Sequence, residues 1–295
     1  SIAWRRLQPH APLATHGLLD AQGGPVQAPI RAEIFGPQRF GQHGRSLGAT
    51  HRAGAARFGQ ATFYPRLQSN VRTLRAAHRY IALEAHEGHD ISPAAEWLLD
   101  NFHLIEAQLE QIHDGLPRSY FRSLPMLVDE PLAGLPRVYG VAWAFVAHTD
   151  SDFDDDLLVR YLTAYQDSRE LGLAETWALP TTLRVVLVEN LRRLAERLAS
   201  HKAAQELASL CAARSKDLNV LTLDAACAAM EQRGVAPVFL AHLLVDLTGA
   251  TLYVGDGKIG ADLRGDGTPR RAVQQDVEVT RRPQITRAHR EHGRA

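Results

Sequence analysis

Five aspartates, Asp150, Asp152, Asp154, Asp155 and Asp156, fall within seven residues and include Asp-x-Asp pairs. Carboxylates at that spacing, set at the end of a buried strand, can hold a divalent metal against a nucleotide diphosphate, so the cluster is one candidate for enzyme chemistry. The residues that follow speak for something else. Leu157, Leu158, Tyr161, Leu162 and Tyr165 recur at helical spacing, and acids at a helix start are stabilised as caps and by the positive end of the dipole. The helix-start reading is preferred because it needs neither a strand nor a nucleotide pocket.

Other motifs are weighed in the same way. Gly255-Asp-Gly-Lys-Ile-Gly260 matches the spacing of a dinucleotide-binding turn and follows a strand-like Thr-Leu-Tyr-Val. That fingerprint works only if a helix opens at the last glycine, and Ala-Asp-Leu-Arg-Gly-Asp-Gly-Thr-Pro does not continue one. His86-Glu-Gly-His89 is one residue short of the zinc-protease spacing, and Gly88 makes it a turn. Cys211 and Cys227 lie sixteen residues apart in Ala/Leu-rich surroundings, without ligand spacing or a disulfide framework, which fits a reducing compartment. Trp97, Asp100, Asn101 and His103 are the remaining candidate substrate-binding residues: an indole face stacks on a sugar ring while amides and acids bond its hydroxyls. Helix-to-helix packing is the preferred reading of that set. The same holds for Trp177 and Pro180, expected to shape a helix entrance. No residue is assigned as catalytic or as a metal ligand.

The elements that must position these residues are helical. Leu67, Val71, Leu74, His78, Ile81 and Ala85 form one amphipathic stripe ended by Gly88. Ser92 is a good N-cap and Pro93 a good first residue for a second helix, whose stripe is Ala95, Leu98, Phe102, Ile105, Leu109 and Ile112. Glu96, Asp100, His103, Glu106 and Glu110 fall on its opposite, acidic face. Residues 137–147 read as a short, mostly buried helix, with a strand as the competing assignment. A further helix is expected from near Pro180 through Leu183, Leu187, Leu191, Leu194 and Leu198, with Glu189 and Arg193 paired on its other side. Two or three more follow before Gly249. The expected fold is all-α, a multi-helix bundle or irregular array. Its predicted organisation is a loop-rich lead-in over residues 1–60, with one short helix between Pro37 and Thr50, a helical domain over 61–249 and an irregular or disordered tail over 250–295.

Composition narrows the function. Of 295 residues, Lys+Arg and Asp+Glu number 33 each, which argues against a nucleic-acid binder. The balance sums acidic helix faces and an Arg-rich tail, so the helical part alone is the more acidic. Apolar runs such as 141–147 fall far short of the roughly 20 residues a membrane helix needs, so no membrane span and no export signal are expected in this chain.

Several strings together resemble one family. Pro29-Ile-Arg-Ala-Glu-Ile-Phe35, Ser92-Pro-Ala-Ala-Glu-Trp-Leu-Leu-Asp-Asn-Phe-His103, Leu135-Pro-Arg-Val-Tyr139, Ala147-His-Thr-Asp150, and Trp177-Ala-Leu-Pro with Leu187-Val-Glu-Asn-Leu-Arg-Arg193 are similar to the N-terminal region of bacterial cyclic β-1,2-glucan synthases. The resemblance runs in order over roughly residues 29 to 247. Members of that family are large inner-membrane proteins that join glucose from UDP-glucose into a β-1,2-glucan and cyclise it. They combine a membrane-embedded transferase with a glycoside-phosphorylase-like module. The resemblance implies a helical scaffold segment at the cytoplasmic face of the inner membrane, partnered by the rest of the synthase. UDP-glucose and a divalent metal are implied for the full-length family and no cofactor for this chain. The alternatives are a free-standing helical interaction module and, third, a metal- and nucleotide-dependent enzyme using the acids from Asp150 to Asp156.

Overall fold

The computed structural model describes Leu19 and residues 24–54, 63–121, 123–129, 131–149, 153–214, 220–248, 251–255 and 258–262. In chain order the elements are α1 (Pro37–Thr50), β1 (Ala53–Gly54), α2 (Phe63–His86), α3 (Pro93–Gly115), α4 (Arg118–Phe121), β2 (Met126–Leu127), α5 (Arg137–His148), α6 (Asp155–Gln166), α7 (Leu173–Ala213), α8 (Val220–Arg233), α9 (Ala236–Thr248), β3 (Thr251–Gly255) and β4 (Lys258–Asp262). The all-α class expected from the spacing is what forms. The chain divides into two units, residues 1–247 and 248–295.

In the first unit α7 is the spine. Its 41 residues make a rod roughly 60 Å long, and α2, α3 and α5 all pack on it. The helix opens at Leu173, seven residues before the expected start near Pro180. Glu175 is the reason: its Oε2 accepts the Gly172 N–H at 3.0 Å, capping the helix ahead of the proline. Pro180 then sits inside the helix and leaves the Thr176 carbonyl without its usual donor. Trp177 is exposed on this first stretch.

The helices with the clearest sequence signatures have the expected ends. Ser92 Oγ accepts the Ala95 N–H at 3.3 Å and Pro93 opens α3. The buried face of α3 holds Ala95, Leu98, Ile105, Leu109 and Ile112. Phe102, at the edge of that face, stacks on His78 of α2 with ring centroids 3.7 Å apart. Gly88, with φ of 79°, ends α2 in a Schellman turn: its N–H bonds the Ala85 carbonyl at 3.1 Å and the His89 N–H bonds the Glu84 carbonyl at 3.0 Å.

α1, inside the predicted loop-rich lead-in, packs against α6. A Cβ added to Gly44 would lie 2.7 Å from the Tyr161 carbonyl oxygen, and one on Gly48 would lie 2.6 Å from that of Tyr165. Only glycine allows that approach. Phe40 of α1 meets Phe145 and Tyr161 at 5.6 and 5.9 Å between centroids, joining this pair of helices to α5. Residues 24–36 form an irregular strap outside helix and strand. The strap is bonded to α8 through Val26 N–H to the Arg233 carbonyl (3.0 Å), and to the end of α5 through Ala32 N–H to the Ala147 carbonyl (2.7 Å).

In the second unit, β3 and β4 form an antiparallel hairpin in register from Thr251 opposite Asp262 to Gly255 opposite Lys258. The strand expected from Thr-Leu-Tyr-Val is present. Gly260 lies inside β4, opposite Tyr253, where a dinucleotide fingerprint requires a helix to begin. Among the described residues, no helix is long and apolar enough to cross a membrane.

Ile105 and Leu104 are neighbours with opposite environments, 7% and 55% exposed. Replacing Ile105 by Ala is expected to destabilise the chain by about 2–5 kcal/mol. The same change at Leu104 should cost about 0.5 kcal/mol or less in urea unfolding.

Candidate functional site

The largest concentration of buried polar groups surrounds Glu189, midway along α7 and only 1% exposed. Five hydrogen bonds converge on its carboxylate. Arg66 of α2 binds both oxygens, Nη2 to Oε1 at 2.6 Å and Nε to Oε2 at 2.9 Å. Asn70 Nδ2 of α2 donates to Oε2 at 2.9 Å and Tyr139 OH of α5 donates to it at 2.7 Å. Arg193 Nη2, one turn along α7, donates to Oε1 at 2.8 Å. The guanidinium groups of Arg66 and Arg193 both lie over the Trp143 ring of α5, at 5.8 and 4.8 Å from its centroid.

Electrostatics follow from that enclosure. Burial pushes the Glu189 carboxyl upward, but the hydrogen bonds and charge of Arg66, with those of Tyr139 and Arg193, override it and hold the group at about 2. Burial raises the Tyr139 hydroxyl well above its ordinary range, and the adjacent carboxylate adds to this. The phenol therefore stays a donor.

A second carboxylate extends the network toward the strap. Glu196 accepts from Arg192 Nη1 and from Arg233 Nη2 of α8, each at 2.7 Å. The same arginines reach the strap: Arg192 Nη2 donates to Gln27 Oε1 (2.6 Å), Arg193 Nη1 to the Ala28 carbonyl (3.0 Å) and Arg233 Nη1 to the Gly24 carbonyl (2.7 Å). Asn190 Oδ1 accepts the Ile30 N–H at 2.7 Å. Arg137 of α5 is bound to Glu175 through Nε at 2.8 Å and through Nη2, which also donates to the Glu170 carbonyl at 2.9 Å. Beside the network lies a polar cavity of about 300 Å³, lined by Gln27, Arg66, Ser69, Asn70, Arg192 and Glu196 among others. Mixed donors and acceptors of this kind suit a polyhydroxylated ligand. The five bonds already made by Glu189 give the network a structural role, which is to fasten α2, α5, α8 and the strap to α7.

The predicted site residues lie elsewhere. Trp97 is 55% exposed on α3. Asn101 Nδ2 donates to the Trp97 carbonyl at 2.8 Å and His103 Nδ1 to the Asp100 carbonyl at 3.0 Å. Trp97, Asp100 and Asn101 are neighbours on the helix surface, whereas His103 is turned about 120° around it from Trp97. With Leu98, Leu191, Leu194, Leu198 and His201, Trp97 borders an apolar groove of about 340 Å³ between α3 and α7. Asp154 caps α6, its Oδ1 accepting the Leu157 N–H at 3.0 Å, and Asp155 and Asp156 occupy the first turn. Asp150 and Asp152 lie outside the described residues. Cys211 and Cys227 are free thiols, and burial pushes Cys211 up to about 11, away from nucleophilic chemistry.

The network itself escapes a reading by periodicity. Glu189 and Arg193 pair as their spacing suggests, yet inside the protein and not on a solvated face. The available signal lay in the family strings, since Tyr139, Glu189, Asn190, Arg192 and Arg193 all stand within them.

The class of protein is thus a helical array on one long helix, fastened by buried ion pairs. No protein-family model matches the chain. It is 33% identical over 180 residues to the cyclic beta-(1,2)-glucan synthase NdvB of Rhizobium meliloti (strain 1021), a match that takes in 61% of this chain and 6% of that protein. The relation to the N-terminal region of cyclic β-1,2-glucan synthases, expected from the strings, holds. The chain spans only a small part of the relative's length.

A carboxyl held below its ordinary value contributes stability that is present above the unfolded-state pKa and lost as pH falls through the folded one. For Glu189 that window runs from about 4.5 down to about 2. Glu189→Gln should flatten stability against pH across this window. Glu189→Ala should cost about 3–5 kcal/mol at neutral pH, because Arg66 and Arg193 lose their carboxylate. Chemical denaturation at stepped pH measures both.

Proposed function

We propose that the chain is a scaffold segment of a cyclic β-(1,2)-glucan synthase, a helical body on the cytoplasmic face of the membrane that positions the catalytic parts of the enzyme. On this reading glucosyl transfer from UDP-glucose, and the divalent metal it uses, belong to the transferase module elsewhere in the synthase. The partners of the chain are that module and the phosphorylase-like one.

One observation carries the reading. Three of the strings that bear the resemblance, those at 29–35, 135–139 and 187–193, meet around Glu189 and the strap, supplying Ile30, Tyr139, Glu189, Asn190, Arg192 and Arg193. On this reading the strings that resemble the family include the means of fastening the helices together. The surfaces it offers are apolar: Leu173 and Trp177 at the start of α7, and Trp97 and Leu194 beside the α3–α7 groove, are all exposed.

Two experiments test this. Co-expressed with the remainder of a synthase, the chain should co-purify with it, and Trp97→Ala with Leu194→Ser should weaken that association at least tenfold. Failure to associate would leave a free-standing interaction module. Calorimetry of UDP-glucose titrated into protein equilibrated with Mn²⁺ should give no binding heat. Heat that disappears in Asp154→Ala/Asp156→Ala would instead make the chain a nucleotide- and metal-dependent enzyme.

A further inference from the structure

The Schellman turn that ends α2 does more than stop the helix. By bonding its N–H to the Glu84 carbonyl, His89 is folded back over the last turn, and its Nδ1 lies 2.9 Å from Glu84 Oε2. From α7, Glu206 arrives at the same place, so that one ligand atom from each of Glu84, His89 and Glu206 lies within 4.8 Å of the other two. His89 and Glu206 are partly exposed, and Glu84 is only 1% exposed behind them.

Glu84 is the telling member. Among the described residues its ion-pair partner is His89, no Lys or Arg lies within ion-pair distance, and no hydrogen bond to Oε1 is formed. This contrasts with Glu175, Glu189 and Glu196, the other buried glutamates, each of which is held by at least one arginine. A carboxylate so deeply placed calls for a cation. The position also favours one, because the C-terminal end of a helix carries partial negative charge.

We propose that Glu84, His89 and Glu206 form a binding site for a divalent transition-metal ion, with Zn²⁺ the best match to one imidazole nitrogen and two carboxylates. Ligands about 2.0–2.2 Å from one ion lie roughly 3–3.5 Å apart. The trio therefore closes by about an ångström, through the flexible Glu206 side chain. Glu206 leaves its present partner Lys202, whose Nζ is 2.5 Å away. The ion takes the place of the proton between Nδ1 and Oε2, the ring keeps its proton on Nε2, and a fourth position stays open to water. Such a site would clamp the end of α2 to α7. It stands independently of the scaffold reading and is distinct from the His86/His89 pair that the motif spacing suggested.

The test is calorimetry of the full chain with Zn²⁺ alone, with circular dichroism to verify folding. Saturable one-to-one binding is expected, weakened at least fivefold by His89→Ala and at least fivefold by Glu206→Gln, both at partly exposed positions. Zn²⁺ should raise the melting temperature of the parent chain by more than that of either variant. Absence of saturable binding, or a loss of less than fivefold in either variant, overturns the proposal.

Discussion

A carboxylate cannot be left in a protein interior without donors around it, and Glu189 sits deep on the central helix of this chain. Its donors come from α2, α5 and α7 itself, so the charge is satisfied only when these helices meet at one level and in one rotation. Apolar packing alone tolerates sliding of one helix along another; a bidentate arginine and a phenol aimed at the same oxygen do not. Glu196 repeats the device one step along α7 and brings in α8. The arginines serving both carboxylates have donors left over for the carbonyls of the strap. The relative placement of four helices and the strap thus hangs on two acids of α7.

The remaining layers follow from that frame. Arg137, two residues before the tyrosine that reaches Glu189, binds Glu175 and so fixes where α7 begins. α5 is then held from both sides, by α7 and by α6, whose Tyr161 hydroxyl donates to the Val141 carbonyl at 3.1 Å. α6 in turn receives the glycine face of α1. A body of this kind can present surfaces in fixed relation. That property, with the relation to a cyclic β-(1,2)-glucan synthase, is what the scaffold reading builds on.

Much of the fold was legible because helices exposed on one side write their burial into a 3.6-residue period. α3 is the clearest case, from its Ser92 cap to its Ile112 core position. α7 is less legible: covered by α2, α3 and α5, it buries apolar and polar residues around much of its circumference. Rules that place Glu, Arg and Asn in solvent therefore set Glu189 and Arg193 outside. Pro180 misled for a related reason, since the cap supplied by Glu175 starts the helix before it. The groupings that carry chemistry were invisible because they are not local. Arg66 and Glu189 are 123 residues apart, and Glu206 reaches Glu84 and His89 from a different helix. The groove beside Trp97 is likewise made by two helices, only one of which contributes the tryptophan.

Hydrogen exchange of backbone amides in the Glu189→Gln variant bears most directly on the central role given to this carboxylate. The account predicts faster exchange in three places at once: the strap over residues 26–35, α2 around Arg66 and Asn70, and α5 around Tyr139, with α6 less affected. Acceleration confined to the turn of α7 that holds residue 189 would contradict it. The helices would then be registered by apolar packing alone.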